Sequence, residues 1–307
     1  MILVAGLTPA WQQIIELDRL DWGEVNRARA VHWCASGKVT NVAIALAQLH
    51  APHKAITFLG GRNGELIAAE LESLGVSLQA VRTAAATRVC TTLLDAASGQ
   101  TTELVENAGS VTPAELATFE QAFAAAAANA QLVLLTGSLP AGTPSGFYDR
   151  LLAQVTAPAI LDIRGSELLS TLARRPLVVK PNREELGQTV GRALEHDTDL
   201  VAAMQHLRFL GAEWVVVSSG KDPLWAAGPA GVWKFWPPSA TVVNPIASGD
   251  CLAAGIAAAL AEGHAMREAI CWGLAAAAQN VAQLLPARLD REQLAAAAAM
   301  IKSESIA

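Results

Sequence analysis

Short runs of leucine and β-branched residues alternate with longer segments rich in Ala, Leu and Glu along most of this chain, and that alternation most restricts its fold. Strands buried on both faces read as continuous apolar runs, and the helices that cover them supply the longer segments. Ile2 to Ala5, Ala55 to Leu59, Leu132 to Leu135, Ala159 to Ile163, Leu177 to Val179 and Trp214 to Val217 read as strands. Thr40 to Leu49, Asn63 to Leu74, Pro113 to Ala128, Ser145 to Ala153, Arg183 to Gly187, Thr198 to Leu210 and Cys251 to Ala261 read as helices. The Ala-rich tract 122–130 belongs to one of these helices, since Ala is the best helix former. The expectation is an α/β fold with a doubly wound, mostly parallel sheet flanked by helices.

Two segments break the pattern. Ile14 to Trp33 and Arg88 to Val105 alternate polar and apolar residues and carry turn signals at Asp21-Trp22-Gly23 and Ala97-Ser98-Gly99. Such hairpins would pair as a small separate sheet.

The formal net charge of −6 on 307 residues argues against a general affinity for nucleic acid or anionic lipid, so any anion is bound locally. Cys34, Cys90, Cys251 and Cys271 show no C-x-x-C spacing and are too sparse for a disulfide framework, which fits a reducing cytoplasm. Neither an export signal nor a membrane span is expected, because the apolar stretches are interrupted by polar residues. No G-x-G-x-x-G follows the first strand, which sets a dinucleotide-dependent dehydrogenase aside.

The most informative stretch runs from Thr241 to Gly255 and contains Ala247-Ser248-Gly249-Asp250 ahead of an apolar Ala/Leu run. A turn of small residues opening a helix leaves backbone N–H groups free to receive a phosphate. Asp250 at the helix mouth serves either as a plain N-cap or as the acceptor of a proton from an attacking hydroxyl.

Other motifs weigh on that choice. Ser36-Gly37-Lys38-Val39-Thr40-Asn41-Val42-Ala43, Gly137-Ser138-Leu139-Pro140-Ala141-Gly142, Lys180-Pro181-Asn182-Arg183-Glu184-Glu185-Leu186 and the 247–250 turn stand in the order of the PfkB family of carbohydrate kinases. The chain resembles that family, within the ribokinase superfamily, and above all its phosphofructokinase and tagatose-6-phosphate kinase branch. Gly23-Glu24-Val25-Asn26-Arg27 is similar to that branch's segment ahead of the first motif.

The resemblance implies a ribokinase-like domain spanning residues 1–307, with segments of about 11–35 and 87–106 forming a small β lid. It implies that Ala247, Ser248 and Gly249 form an anion hole and that Asp250 is the base. Asn182 and Glu185 would organise hydrated magnesium beside ATP, with Ser218, Gly220 and Asn280 lining the nucleotide site. On the acceptor side it implies Gln12, Gly37, Asn41, Lys38, Arg88 and Arg27, the last three as cations for a substrate phosphate. Arg27 reads equally well as a solvated surface charge. A homodimer through the lid is a further implication.

The chain departs from the family at several positions. Gln12 stands where the family carries an aspartate that contacts sugar hydroxyls, and Ala247 where it carries glycine. Ser36 and Val39 also replace glycines, with Val39 expected to narrow the acceptor pocket, and Arg164 replaces a small polar residue. The leading expectation is ATP-dependent phosphorylation of a ketose phosphate such as fructose 6-phosphate, fructose 1-phosphate or tagatose 6-phosphate. The alternatives are a kinase for an unphosphorylated sugar or nucleoside, and a binding protein with weakened turnover.

Overall fold

The computed structural model describes residues 1–306. In chain order, β1 (Ile2–Ala5) opens a large sheet, and β2 (Ala10–Leu17) with β3 (Ala30–Ser36) leaves it for a second one. α1 (Lys38–Gln48), β4 (His53–Leu59), α2 (Gly61–Ser73) and β5 (Leu78–Arg82) return to the large sheet, and β6 (Val89–Asp95) with β7 (Thr101–Val105) completes the small one. There follow α3 (Pro113–Ala127), β8 (Leu132–Thr136), α4 (Phe147–Leu152), β9 (Ala159–Asp162), α5 (Gly165–Thr171), β10 (Val178–Val179), α6 (Arg183–Val190), α7 (Asp197–Phe209) and β11 (Trp214–Ser219). A hairpin of β12 (Asp222–Gly228) and β13 (Gly231–Phe235) precedes α8 (Ser248–Ala261), α9 (Met266–Val281), α10 (Arg291–Ala299) and β14 (Ser303–Ser305).

The large sheet runs β14-β13-β12-β11-β10-β9-β8-β1-β4-β5 and is parallel from β11 to β5. After β1 the chain winds outward through β4 and β5, then returns to β8 and winds the other way. The order therefore reverses between β1 and β8, and the loops leaving the carboxyl ends there diverge and open a crevice. Alternation along each strand divides the core. Ile2, Val4, Leu134, Ile160 and Val216 face α1, α8 and α9, while Leu3, Val133, Leu135, Leu161 and Val215 face α3, α4 and α7. Each such buried aliphatic side chain contributes about 1.5–3 kcal/mol of transfer free energy.

All six expected strands and all seven expected helices are present, with ends moved by a few residues. The two irregular segments form the four-stranded sheet β3-β2-β6-β7, whose turns fall at the signalled positions. Seven further elements were not expected: β5, α5, β12 and β13 of the hairpin, α9, α10 and β14. The hairpin turns at Pro229-Ala230 between the paired Gly228 and Gly231, so a Gly-x-x-Gly signal was present in the sequence.

α8 and α9 pack closest at two glycines. A Cβ on Gly255 would lie 2.7 Å from the Gly273 Cα and 2.8 Å from the Trp272 carbonyl oxygen. Both obstacles are backbone, so the helices would have to separate. Gly255→Ala should destabilise the fold by about 1–3 kcal/mol in urea unfolding; unchanged stability would mean the contact is looser than these distances.

Candidate active site

The crevice at the carboxyl ends of β1, β8, β9, β10 and β11 opens into a cavity of about 1260 Å³, closed on one side by the small sheet. Its wall collects residues from the loops after each of these strands, from the turn between β3 and α1, and from the small sheet. Gly37 precedes α1 with φ 90°, where a Cβ would meet the Pro9 Cα at 2.9 Å and the Thr8 carbonyl oxygen at 3.0 Å. Only glycine fits, and its conformation turns the first residues of α1, Lys38 and Asn41, toward the cavity.

Asp162 ends β9 and is buried. Its Oδ1 lies 3.1 Å from Lys38 Nζ and 3.2 Å from Lys180 Nζ, and its Oδ2 accepts from Thr136 Oγ1 at 3.3 Å. Burial pushes the Asp162 carboxyl up, but the two ammonium groups outweigh it and hold the pKa below the usual range. For Lys38, burial favours the neutral form, and the carboxylates of Asp162, Asp250 and Glu185 together reverse that and raise its pKa. Lys38 is therefore a fixed positive charge.

Asp250 lies in the first turn of α8, and its Oδ2 accepts from Asn41 Nδ2 at 2.7 Å. Burial pushes its pKa to about 6; Lys38 opposes that shift and Asp162 adds to it. A carboxylate of that affinity, close to the mouth of a helix, can take a proton near neutral pH. Among the described residues, the N–H groups of Gly249 and Asp250 have no hydrogen-bond partner, as the first turn of a helix requires. They suit an anionic oxygen.

Asn182 and Glu185 form a reciprocal cap on α6. Asn182 Oδ1 accepts from the Glu185 N–H at 2.8 Å, and Glu185 Oε2 accepts from the Asn182 N–H at 3.0 Å. Glu185 Oε1 stands 3.8 Å from Lys38 Nζ. With both side chains engaged, a metal would be met through water, and no cluster of three or more metal-ligating side chains occurs among the described residues. Such a pair fits magnesium held chiefly by phosphates and its own waters.

Of the residues singled out in the sequence, Gln12, Gly37, Lys38, Asn41, Arg88, Asn182, Glu185, Ser218, Gly220 and the run Ala247 to Asp250 all line this cavity. Three expectations are corrected. Asn280 does not line it: its side chain is buried, donating to the Ile246 carbonyl at 2.8 Å and accepting from the Ala287 N–H at 2.8 Å. It braces the 247–250 turn from behind, while its neighbours Ala277, Ala278 and Val281 face the cavity. Arg27 is exposed in the β2–β3 turn and is not part of the cavity wall. Val39 does not narrow the acceptor side, because its side chain is buried against Gly6, where a Cβ would come within 2.8 Å of its own.

Arg88 lines the cavity with its fork occupied, donating to the carbonyls of Thr8 at 3.0 Å, Pro9 at 3.3 Å and Glu106 at 3.0 Å. Gln12 is buried, and its amide donates to Thr92 Oγ1 at 2.7 Å. Sequence reasoning assigned no role to Asp162 or Lys180, which hold the centre of the site together. The available signals were that Lys180 opens the Lys180-Pro181-Asn182 motif and that Asp162 ends a strand.

The profile of the pfkB family of carbohydrate kinases matches residues 3–289. Phosphofructokinase-2 of Escherichia coli, solved with substrates and products, is 25% identical, with 97% of this chain and 98% of that one covered at a TM-score of 0.90. A possible 1-phosphofructokinase of Thermotoga maritima is 21% identical over 100% and 99% of the two chains, with a TM-score of 0.91. Ribokinase of Arabidopsis thaliana, solved with ribose and ATP, is 23% identical over 97% and 98%, with a TM-score of 0.74.

Ala247 adopts φ 69° and ψ 5°, the left-handed region, so the alanine at this position is strained. The strain costs about 1–2 kcal/mol, and a glycine would relieve it at some loss from its greater freedom when unfolded. Ala247→Gly should therefore stabilise the protein by about 0.5–1 kcal/mol in urea unfolding. A lower stability would mean that the methyl group makes packing contacts worth more than the strain.

Proposed function

The chain belongs to the pfkB family of carbohydrate kinases, and on that premise we propose that it transfers the γ-phosphoryl group of ATP to a hydroxyl of a ketose phosphate, with Asp250 as general base. The observation that carries this reading is Asp250 itself: a buried carboxylate with a pKa near 6, beside unpartnered N–H groups at the start of α8. Asn41 orients the carboxylate. Ala247, Ser248 and Gly249 would bring the anion hole to the transferred group, and Lys38 and Lys180 would place two positive charges beside it. Magnesium, met by Asn182 and Glu185 through water, would neutralise phosphate charge. Ser218, Gly220 and the α9 residues Ala277, Ala278 and Val281 would accommodate the nucleotide.

Support for a phosphorylated acceptor comes from individual cations of the wall, which also carries five carboxylates. Lys38, Arg88 and Arg164 all line the cavity, and Arg164 has no ion-pair or hydrogen-bond partner among the described residues. Phosphofructokinase-2 of Escherichia coli has also been solved with fructose 6-phosphate. The engaged state of Arg88 and Lys38 favours a second reading, an unphosphorylated sugar as acceptor. The small sheet would act as a lid that removes competing water. Its outer face exposes Val31, Trp33 and Leu104, with Trp33 stacked on Trp11, which suits pairing of two lids in a homodimer.

A screen of ADP release with Mg-ATP against ketoses and ketose phosphates separates the two acceptors. Ketose phosphates should be preferred, and Lys38→Ala, Arg88→Ala and Arg164→Ala should raise their KM more than that of ATP. A preference for neutral sugars would replace the phosphorylated acceptor with the second reading.

Asp250→Asn should lower kcat by about 100-fold or more while ATP still binds. A base works only when ionised, so kcat/KM of the parent should fall about tenfold per pH unit below about 6 and level off above it. A flat profile from pH 5 to 8, or near-normal turnover of the variant, would remove Asp250 from the reaction.

A further inference from the structure

Five carboxylates line the cavity, and four of them are committed within the protein. Asp162 lies between Lys38 and Lys180, and Glu185 caps α6. Glu167 accepts from the Gly146 N–H at 2.7 Å, and Asp250 accepts from Asn41. The fifth, Glu103 on β7, is an exposed residue at the cavity wall with neither a hydrogen-bond donor nor an ion-pair partner among the described residues.

Register fixes where Glu103 lies. It stands opposite Thr92 on β6, and Thr92 Oγ1 accepts the amide hydrogen of Gln12 on β2. Gln12, Thr92 and Glu103 thus occupy one face of three adjacent strands spaced about 4.8 Å apart, and Gln12 and Glu103 both line the cavity. Because the Gln12 NH₂ group is engaged by Thr92, Gln12 has only its carbonyl oxygen left to offer a ligand. A polyol brings several hydroxyl donors into the cavity, and each needs an acceptor there. A carboxylate accepts from two neighbouring hydroxyls by charge-assisted bonds, which an amide carbonyl cannot match.

We propose that Glu103 is the residue that reads the hydroxyls of the acceptor sugar, accepting from a neighbouring pair of them from the lid side of the cavity. Arg88 acts on Glu103 through charge and makes no hydrogen bond to it, three of its five N–H donors being held by the carbonyls of Thr8, Pro9 and Glu106. A phosphate on this stretch of wall would meet a like charge. The hydroxyl-bearing part of the acceptor therefore faces β7, and any phosphate is directed away from it. This inference rests on the carbohydrate-kinase reading above.

The test uses the full chain with Mg-ATP and five probes: fructose, tagatose, fructose 6-phosphate, fructose 1-phosphate and tagatose 6-phosphate. Glu103→Gln keeps the size of the side chain and, with no partner to lose, should fold normally. It should raise the acceptor KM by about 10- to 100-fold, the scale of bonds to a charged group, and leave kcat and the KM for ATP within about threefold. Adding Gln12→Asp should recover most of the lost affinity by returning a carboxylate to the same face, a rescue that a merely structural role for Glu103 would not give. An acceptor KM unchanged within about twofold, an equal rise for ATP, or a double variant no better than the single one overturns the assignment to Glu103 and leaves the kinase reading standing. If the parent turns over none of the five, titration of each into the chain by isothermal calorimetry decides. Weaker binding by Glu103→Gln then supports the hydroxyl-reading role while the ketose-kinase reading falls, and absence of binding by the parent overturns both.

Discussion

The buried carboxylate of Asp162 between two lysines is the constraint on which the rest of the site depends. One side chain at the end of β9 reaches Lys38 at the start of α1, Lys180 just past β10 and Thr136 at the end of β8. Three neighbouring strands and the helix after the small sheet are thereby held in one relative position. Taking these charges out of water costs several kcal/mol per ion, so such a cluster adds little net stability over an apolar packing of the same volume. Its contribution is placement. Lys38 cannot swing toward solvent without leaving Asp162, and Lys180 sits 3.5 Å from where a Cβ on Gly249 would be. Two fixed positive charges therefore flank the turn that begins α8, where negative charge would gather during phosphoryl transfer.

The same cluster sets the proton affinity of Asp250. Desolvation alone would push its pKa far upward, and a carboxyl that is always protonated cannot accept a proton. Lys38, the bond from Asn41 and Lys180 pull it back, while the charge on Asp162 adds to the effect of burial. The outcome, about 6, is burial only partly offset by these neighbours. Asn41 has a further feature, since its Oδ1 is buried without a partner. An acceptor left unsatisfied at the reacting end of a cavity costs about 1–3 kcal/mol, and a hydroxyl of the ligand would satisfy it.

How much of this was legible in the sequence follows from what a linear chain encodes. The parallel core was readable because Ile2 to Ala5 or Leu132 to Leu135 can be apolar throughout only where both faces are covered. The small sheet was readable from period-two alternation and its turns. β14 escaped because Ser303–Ser305 is an exposed edge strand without an apolar face; α9 was not assigned although its Ala-rich run favours a helix as that of α3 does. In the site, motif order located the residues whose backbone shapes the loops. It included Lys180 without a role and did not single out Asp162, and their importance lies in meeting each other across strands. It misdirected Asn280, since sequence position on α9 does not tell whether a side chain turns toward the cavity or into the helix pair. Val39 was misjudged for the same reason.

Ala247 illustrates how such a loop tolerates a residue that its own conformation disfavours. The turn before α8 is held by bonds that do not depend on the Ala247 side chain: Asn244 Oδ1 accepts from the Ile246 N–H, and Asn280 donates to the Ile246 carbonyl. On the other side, Ser248 Oγ donates to the Pro245 carbonyl, and the Cys251 N–H returns to the Ala247 carbonyl. Flanked in this way, residue 247 has one conformation available, whether or not it carries a Cβ. Its strain is then absorbed by neighbours that over-determine the backbone. Asn244 and Asn280 are thus what allow a non-glycine residue at this turn, and the N–H groups of Gly249 and Asp250 keep their direction.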